Sequence, residues 1–146
     1  DAAGRHPLRR IVRNCEARRL VDGDVALEKV SAMPGNRLRG TVNCIEGDRI
    51  ADKKTSRNGD AAMWVNGVLL DKYGRAQAYS ICKREGGRSL IWEKDIPARN
   101  LYLHGYWDTT QRFDQVRGIS PLAAALNTMR DSFEGFDLAM MRLKIG

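Results

Sequence analysis

The sequence predicts an α+β domain with an N-terminal helix, an antiparallel meander of short strands and a long C-terminal helix. Three observations carry that prediction. Apolar residues recur at helical spacing over 7–21. Runs rich in Val, Ile, Tyr and Trp, broken by Gly, Pro, Asn and Asp, fill 25–106. An apolar heptad then runs through 120–145. The 146 residues fit one domain and suffice for a real core. A hydrophobic share of 42% and a charged share of 29% are those of an ordinary globular chain. No apolar stretch approaches the roughly 20 residues of a membrane helix, so no membrane partner is expected. The chain opens on Asp1, not Met, and is read as an excerpt of a longer protein.

The first helix places Leu8, Ile11, Val12, Cys15 and Leu20 on one side and most of its arginines on the other. Gly23 within "DGD" is suited to cap its C-terminus. "VALEKV" (Val25–Val30) reads as a strand, "MPGN" (Met33–Asn36) as a tight turn, and "LRGTVNCIE" (Leu38–Glu46) as a strand pairing back antiparallel. Gly47–Asp60 is polar and aperiodic, hence a surface loop. Trp64–Leu70 and Ala76–Lys83 flank "DKYGR" as a hairpin; the pair Asn66-Gly67 is a competing turn, set aside because the later turn pairs longer strands. "REGGR" is a further turn. Ser89–Glu93 and Asn100–Tyr106 are the last strands, separated by a loop through Pro97.

Ser120 is a good N-cap and Pro121 suits the first helical position, where a missing N–H costs nothing. Leu122, Leu126, Met129, Phe133, Phe136, Met140 and Leu143 follow at spacings of 4, 3, 4, 3, 4 and 3. This stripe is read as a core or subunit-packing face, with Phe133, Phe136, Met140 and Leu143 as candidate subunit contacts. Gly135 inside it costs on the order of 1 kcal/mol relative to Ala.

The candidate chemistry is thin. Three scattered cysteines (Cys15, Cys44, Cys82) and two histidines (His6, His104) do not form a metal-ligand pattern, and the thiols are read as buried and reduced. "GISPL" lacks the final glycine of a nucleophile elbow, so Ser120 is a cap. Asp22, Asp24, Glu46, Asp48 and Lys53 can be drawn as a nuclease site, but no spacing singles them out. His104 reads as a packed, hydrogen-bonded histidine. Trp64, Tyr79, Trp92 and Trp107 could stack bases but read first as core. No catalytic residue, metal ligand or cofactor is therefore expected. The net charge of +7 concentrates at the start, where residues 1–19 hold six arginines against two acidic residues. Arg9, Arg10, Arg13 and Arg18 are the candidate contacts to a polyanion, and a basic nucleic-acid-binding domain without catalytic activity is the alternative function.

Five pieces in order carry a resemblance: "DGDV" (Asp22–Val25), "CIEGDRI" (Cys44–Ile50), "NGVLLDKYGRAQAYSI" (Asn66–Ile81), "IPARNLYLH" (Ile96–His104) and "QVRGISPLAAAL" (Gln115–Leu126). They resemble the portal proteins of tailed bacteriophages, in the lambda-type group. The resemblance implies a ring, usually of twelve subunits, at one capsid vertex of the virion. The resemblance further implies assembly in the host bacterial cytoplasm. Double-stranded DNA would pass through the ring, and terminase and head–tail connector proteins would dock on it. The excerpt would belong to the peripheral wing, without stem, clip or crown, and would not be an enzyme. Gln115, Arg117 and Gly118 would form a fixed turn aiming the helix that starts at Ser120 and Pro121. Arg117 would anchor that turn on carbonyls or a carboxylate, or reach a neighbouring subunit. Gly118 would supply a backbone conformation barred to other residues. The long helix departs from the acidic, Tyr-containing form usual in that group, with Phe133, Gly135 and Phe136 instead.

Overall fold

The computed structural model describes residues 1–30, 40–52, 64–86, 89–105, 107 and 112–145. Helix α1 (Leu8–Asp22) leads through Gly23 directly into strand β1 (Asp24–Val30). Gly23 has φ 95°, and its N–H closes the last turn onto the Arg19 carbonyl at 3.1 Å. β1 pairs antiparallel with β2 (Thr41–Glu46) on one edge and with β7 (Leu101–Gly105) on the other, giving a sheet ordered β2-β1-β7. The second sheet is a meander of β3 (Trp64–Val65), β4 (Val68–Leu70), β5 (Ala76–Glu85) and β6 (Ser89–Pro97). The α+β expectation holds, and the last strand closes back on the first.

The period of two along β1 explains the layering. Ala26 faces inward with Ile45 of β2 and joins Ile50, Val68, Tyr79, Ile81, Ile96 and Leu101 in the core between the sheets. Val25 and Leu27 face the opposite side and pack with Val42 against Ile11 and Cys15 of α1. The sheets are also bridged by polar groups. Lys94 of β6 reaches Glu28 of β1 at 2.6 Å, and Asn43 donates to the same carboxylate at 2.9 Å. Burial opposes the charge of Glu28, but these two hydrogen bonds outweigh it and hold the carboxyl below its ordinary range.

Several expectations need correction. Only Ile11 and Cys15 of the α1 stripe are buried; Leu8, Val12 and Leu20 are exposed, because the three-stranded sheet covers a narrower strip than the stripe offers. Trp64–Leu70 is not one strand. Asn66 (φ 51°) and Gly67 (φ 80°) form a two-residue turn between β3 and β4, with both central residues left-handed as a hairpin of matching twist requires. The "DKYGR" turn forms as well, with Asp71 accepting the Tyr73 and Arg75 N–H groups at 2.7 and 2.8 Å. The segment from Gly47 is not simply surface loop. Gly47–Arg49 is a 3-10 turn, Gly47 and Ile50 are buried, and Ile50 bridges to Ile81. Cys44 is exposed, while Cys15 and Cys82 are buried; all three are free thiols. Trp92 and Trp107 are also exposed, leaving Tyr79 as the buried aromatic of that group. Met33–Asn36, the remainder of the loop at 53–60, Lys53 and Tyr106 lie outside the described residues.

The C-terminal segment starts differently from a plain helix. Pro121–Ala124 is a 3-10 turn, and the α-helix α2 spans Leu126–Ile145. Among the described residues no helix is long and apolar enough to cross a membrane.

Candidate functional site

The approach to α2 runs back across the point where α1 gives way to β1. At its centre stands Asp24, only 1% exposed. A carboxylate buried that far is tolerable only with a charged, hydrogen-bonded partner. Arg117 is that partner. Its Nε donates to Oδ2 at 2.6 Å and its Nη2 to Oδ1 at 2.8 Å, the two-pronged geometry that suits a planar guanidinium to a carboxylate. Nη2 also donates to the Gly47 carbonyl at 2.6 Å. Nη1 donates to the carbonyls of Ile50 at 2.8 Å and Asn66 at 3.1 Å. One side chain thus ties together the start of β1, the 3-10 turn after β2, the chain at Ile50 and the β3–β4 turn. Those four segments belong to both sheets.

The backbone completes the knot. The Gly118 N–H donates to Asp24 Oδ2 at 2.9 Å, and Gln115 Nε2 donates to the Arg117 carbonyl at 2.9 Å. Gly118 is needed for a reason other than its φ, which lies outside the left-handed region. A Cβ there would overlap the Gly23 carbonyl and the Asp24 side chain. Its requirement is close approach of two backbones. Gly23 meets both demands, since its φ is positive and a Cβ would lie 2.5 Å from the Gly118 oxygen.

Ser120 joins the two helical segments. Its hydroxyl donates to the Leu20 carbonyl, in the last turn of α1, at 2.7 Å. The same oxygen accepts the Leu122 N–H at 3.1 Å. The last carbonyls of one helix and the first N–H groups of the next segment are thus satisfied together. Pro121 follows at the position where no N–H is needed.

Chemically, this arrangement is suited to holding segments together. The Arg117 side chain is 18% exposed and its donors are spent on protein oxygens. The Ser120 hydroxyl is engaged in both directions. The acidic residues that could be drawn as a metal site point elsewhere: Asp22 and Glu46 pair with Arg18, Asp48 pairs with Arg84, and Asp24 is held by Arg117. Among the described residues no group of three or more His, Cys, Asp or Glu is placed to hold a metal ion. His104 lies on β7 with Nε2 2.8 Å from Glu16 Oε1 of α1, and this contact draws the Glu16 carboxyl below its ordinary range.

The remaining candidates lie apart. Arg9, Arg10 and Arg13 are exposed on α1 with no ion-pair partner among the described residues, whereas Arg18 is shared between Asp22 and Glu46. The α2 stripe does not reach the core. Phe133 is 67% exposed, Phe136 65% and Leu143 77%, and Leu126, Met129 and Met140 are also exposed. Sequence reasoning missed Asp24 and Gly47 as the other half of the knot. The available signal was an aspartate at the first position of a strand that must be buried.

A search among curated proteins returned no match. A family profile described as phage portal protein, lambda family, matches residues 1–146. The order of the five quoted pieces, the two-sheet body that they build and this match agree, and the chain belongs to the lambda family of phage portal proteins.

Proposed function

We propose that this chain forms the wing part of a structural, non-catalytic portal subunit, and that its two-sheet body holds α2 at a fixed angle for packing against neighbouring subunits of a ring. The observation that carries this reading is the contrast between the two ends of the last segment. The base, at Arg117 and Ser120, is tied to both sheets and to α1. The helix beyond it leaves nearly every apolar side chain uncovered. A helix with one apolar face lacks a reason to stay apolar in solvent, and covering that face is the ordinary solution. Ring assemblies use heterologous surfaces, so a face on one subunit meets a different face on the next. Family membership supports the capsid-vertex location, passage of double-stranded DNA, and docking of terminase and head–tail connector proteins as the setting in which this occurs.

The test uses the full-length protein carrying Phe133→Asp and Phe136→Asp. Light scattering with size exclusion, together with negative-stain imaging, should show loss of closed rings. The unfolding midpoint of the dissociated subunit should stay unchanged, because both side chains are solvent-exposed within the subunit. Closed rings at wild-type yield would refute the reading.

A second reading rests on Arg9, Arg10 and Arg13, which form a basic patch without partners among the described residues. In it, α1 contacts the DNA backbone. Each arginine that neutralises a phosphate adds roughly 0.9 to the slope of log affinity against log salt, so replacing it with Gln should flatten the slope by that amount. A gel-shift series in which the triple Arg→Gln variant keeps the wild-type slope would exclude it.

A further inference from the structure

We propose that Cys15 and Cys44 form a thiol pair that closes into an intramolecular disulfide when the protein meets a small-molecule disulfide oxidant. The placement follows from register. Cys44 lies opposite Leu27 across the β1–β2 ladder. Leu27, with Val42 two residues before Cys44, packs on the cluster that contains Cys15. Side chains at i and i+2 of a strand share a face, so Cys44 points to the same side as Val42, toward α1. Cys15 points inward from α1, in the same cluster as Ile11. Both cysteines line one cleft between α1 and β2, together with Asn14, Arg18 and Glu46. The two thiols are near enough for each to influence the other's acidity.

The environments assign different roles to the two sulfurs. Burial, and then the neighbouring Cys44 thiol, push the Cys15 thiol up to about 11. Burial also raises Cys44, with the charge of the N-terminus and then Cys15 working against that shift. Cys44 is in addition the exposed member. It is therefore the attacking thiol and Cys15 the resolving one. In the first step the Cys44 thiolate attacks glutathione disulfide. One S–S bond breaks, a mixed disulfide forms, and glutathione thiolate leaves and takes a proton. In the second step the Cys15 sulfur, losing its proton, attacks Cys44 Sγ and displaces the second glutathione. Two protein thiols are oxidised and one glutathione disulfide is reduced to two glutathiones. The product staples α1 to β2 across the cleft. Cys82 takes no part, since it is buried in the other sheet with its thiol directed at the Ala51 carbonyl. The chemistry does not depend on the ring reading; the time at which it would occur does, because a virion assembled in a reducing cytoplasm meets oxidant after release.

The test is oxidation of the purified full-length protein with glutathione disulfide, followed by thiol counting and mass spectrometry of proteolytic peptides under non-reducing conditions. Within this segment the free thiols should fall from three to one, with a peptide linking Cys15 to Cys44. The closure rate should rise about tenfold from pH 7 to pH 8, as a thiolate below its pKa demands. Cys15→Ser should leave Cys44 as a stable glutathione adduct, and Cys82→Ser should close at the wild-type rate. If Cys15→Ser fails to fold, the linked peptide in the wild type still decides. Recovery of Cys44 only as a glutathione adduct or an intermolecular dimer, with Cys15 reduced, would overturn the proposal, as would full retention of all three thiols.

Discussion

Replacing Arg117 with Met is the most direct test of the knot. Met keeps much of the aliphatic stem and removes the whole guanidinium. Asp24 is left with the Gly118 N–H as its side-chain donor, the carbonyls of Ile50 and Asn66 lose the guanidinium, and that of Gly47 keeps only the Ile50 N–H. Removing one partner of a buried ion pair typically costs about 3–5 kcal/mol, because the other charge is left uncompensated. The partial exposure of Arg117 lets water reach the vacated side, which places the expected loss near the lower end, about 3 kcal/mol. For a domain of this size that corresponds to a fall in the thermal midpoint of roughly 6–12 °C. Arg117→Lys should lose about 2 kcal/mol, since an ammonium cannot fork onto the carboxylate and also reach three carbonyls. The discriminating measurement is a double-mutant cycle in urea. Asp24→Asn in the Arg117→Met background removes the stranded charge while still accepting the Gly118 N–H. The double variant should be no less stable than Arg117→Met alone, a coupling of at least about 2 kcal/mol. A loss below about 0.5 kcal/mol for Arg117→Met, or strict additivity in the cycle, would refute the assignment of Asp24 and Arg117 as a coupled pair.

Gly118 and Gly135 should respond with opposite signs. Gly118→Ala should destabilise by more than about 1 kcal/mol, on the order of an overpacked core, because the obstacle is the Gly23 backbone and the Asp24 side chain. Gly135→Ala, with no atom within 4 Å of the added Cβ, should stabilise α2 by about 1 kcal/mol. Thermal unfolding of both variants checks this; a stabilised Gly118→Ala protein would be the contrary result. Ser120→Ala should cost roughly 1 kcal/mol and speed hydrogen exchange at the Leu122 amide, which loses its acceptor. The lowered Glu28 carboxyl sets a pH dependence. Its contribution is fully present above the ordinary glutamate value of 4.5 and is lost as the pH falls through the lower folded-state value. Glu28→Gln should therefore flatten the acid limb of stability against pH below about 4.5. An unchanged acid limb would remove Glu28 from the account.

The legible parts of this fold are those set by local pattern. The extent of helix α1, the pairing of β1 with β2, and the cap–proline start at Ser120 and Pro121 all follow from spacing and turn chemistry. What cannot be read depends on contacts distant in sequence. Ile50 looks like one apolar residue in a polar loop until the bridge to Ile81 draws it into the core. Ser89–Pro97 and Leu101–Gly105 look like neighbours in one meander, yet a three-residue 3-10 turn sends the second to pair with β1. Both turns around Trp64–Leu70 form because a two-strand ladder as short as Trp64–Leu69 and Val65–Val68 is stable once β4 also pairs with β5. The candidate site divides in the same way. Ser120 is legible as a local cap and Gln115, Arg117 and Gly118 come through the family resemblance, whereas Asp24 lies 93 positions from Arg117 and Gly47 lies 70. Gly118 suggests a demand on φ, whereas the constraint is space. That distinction depends on what lies against the residue, which the sequence does not record.

The choice of an ion pair at the root of α2 has a physical consequence for an assembly part. Apolar contact is non-directional, and a helix seated only on apolar side chains can slide or rotate at small cost. A guanidinium fork on a carboxylate has one good geometry, and the carbonyls of Gly47, Ile50 and Asn66 fix the plane of that fork from a third side. Buried ion pairs are weak contributors to net stability, but they penalise alternative arrangements heavily, because any shift strands a charge. In a closed ring the rotation from each subunit to the next must sum to a full turn, so a few degrees of freedom in one subunit accumulate around the circle. A directional root under an exposed apolar helix meets that demand. Gly23 and Gly118 remove the side chains that would hold the two backbones apart, and Ser120 fastens the start of the segment to the end of α1. In the proposed ring, the stiffness of the base and the exposure of the stripe would be two parts of one arrangement, with the body setting the angle and the neighbouring subunit supplying the burial.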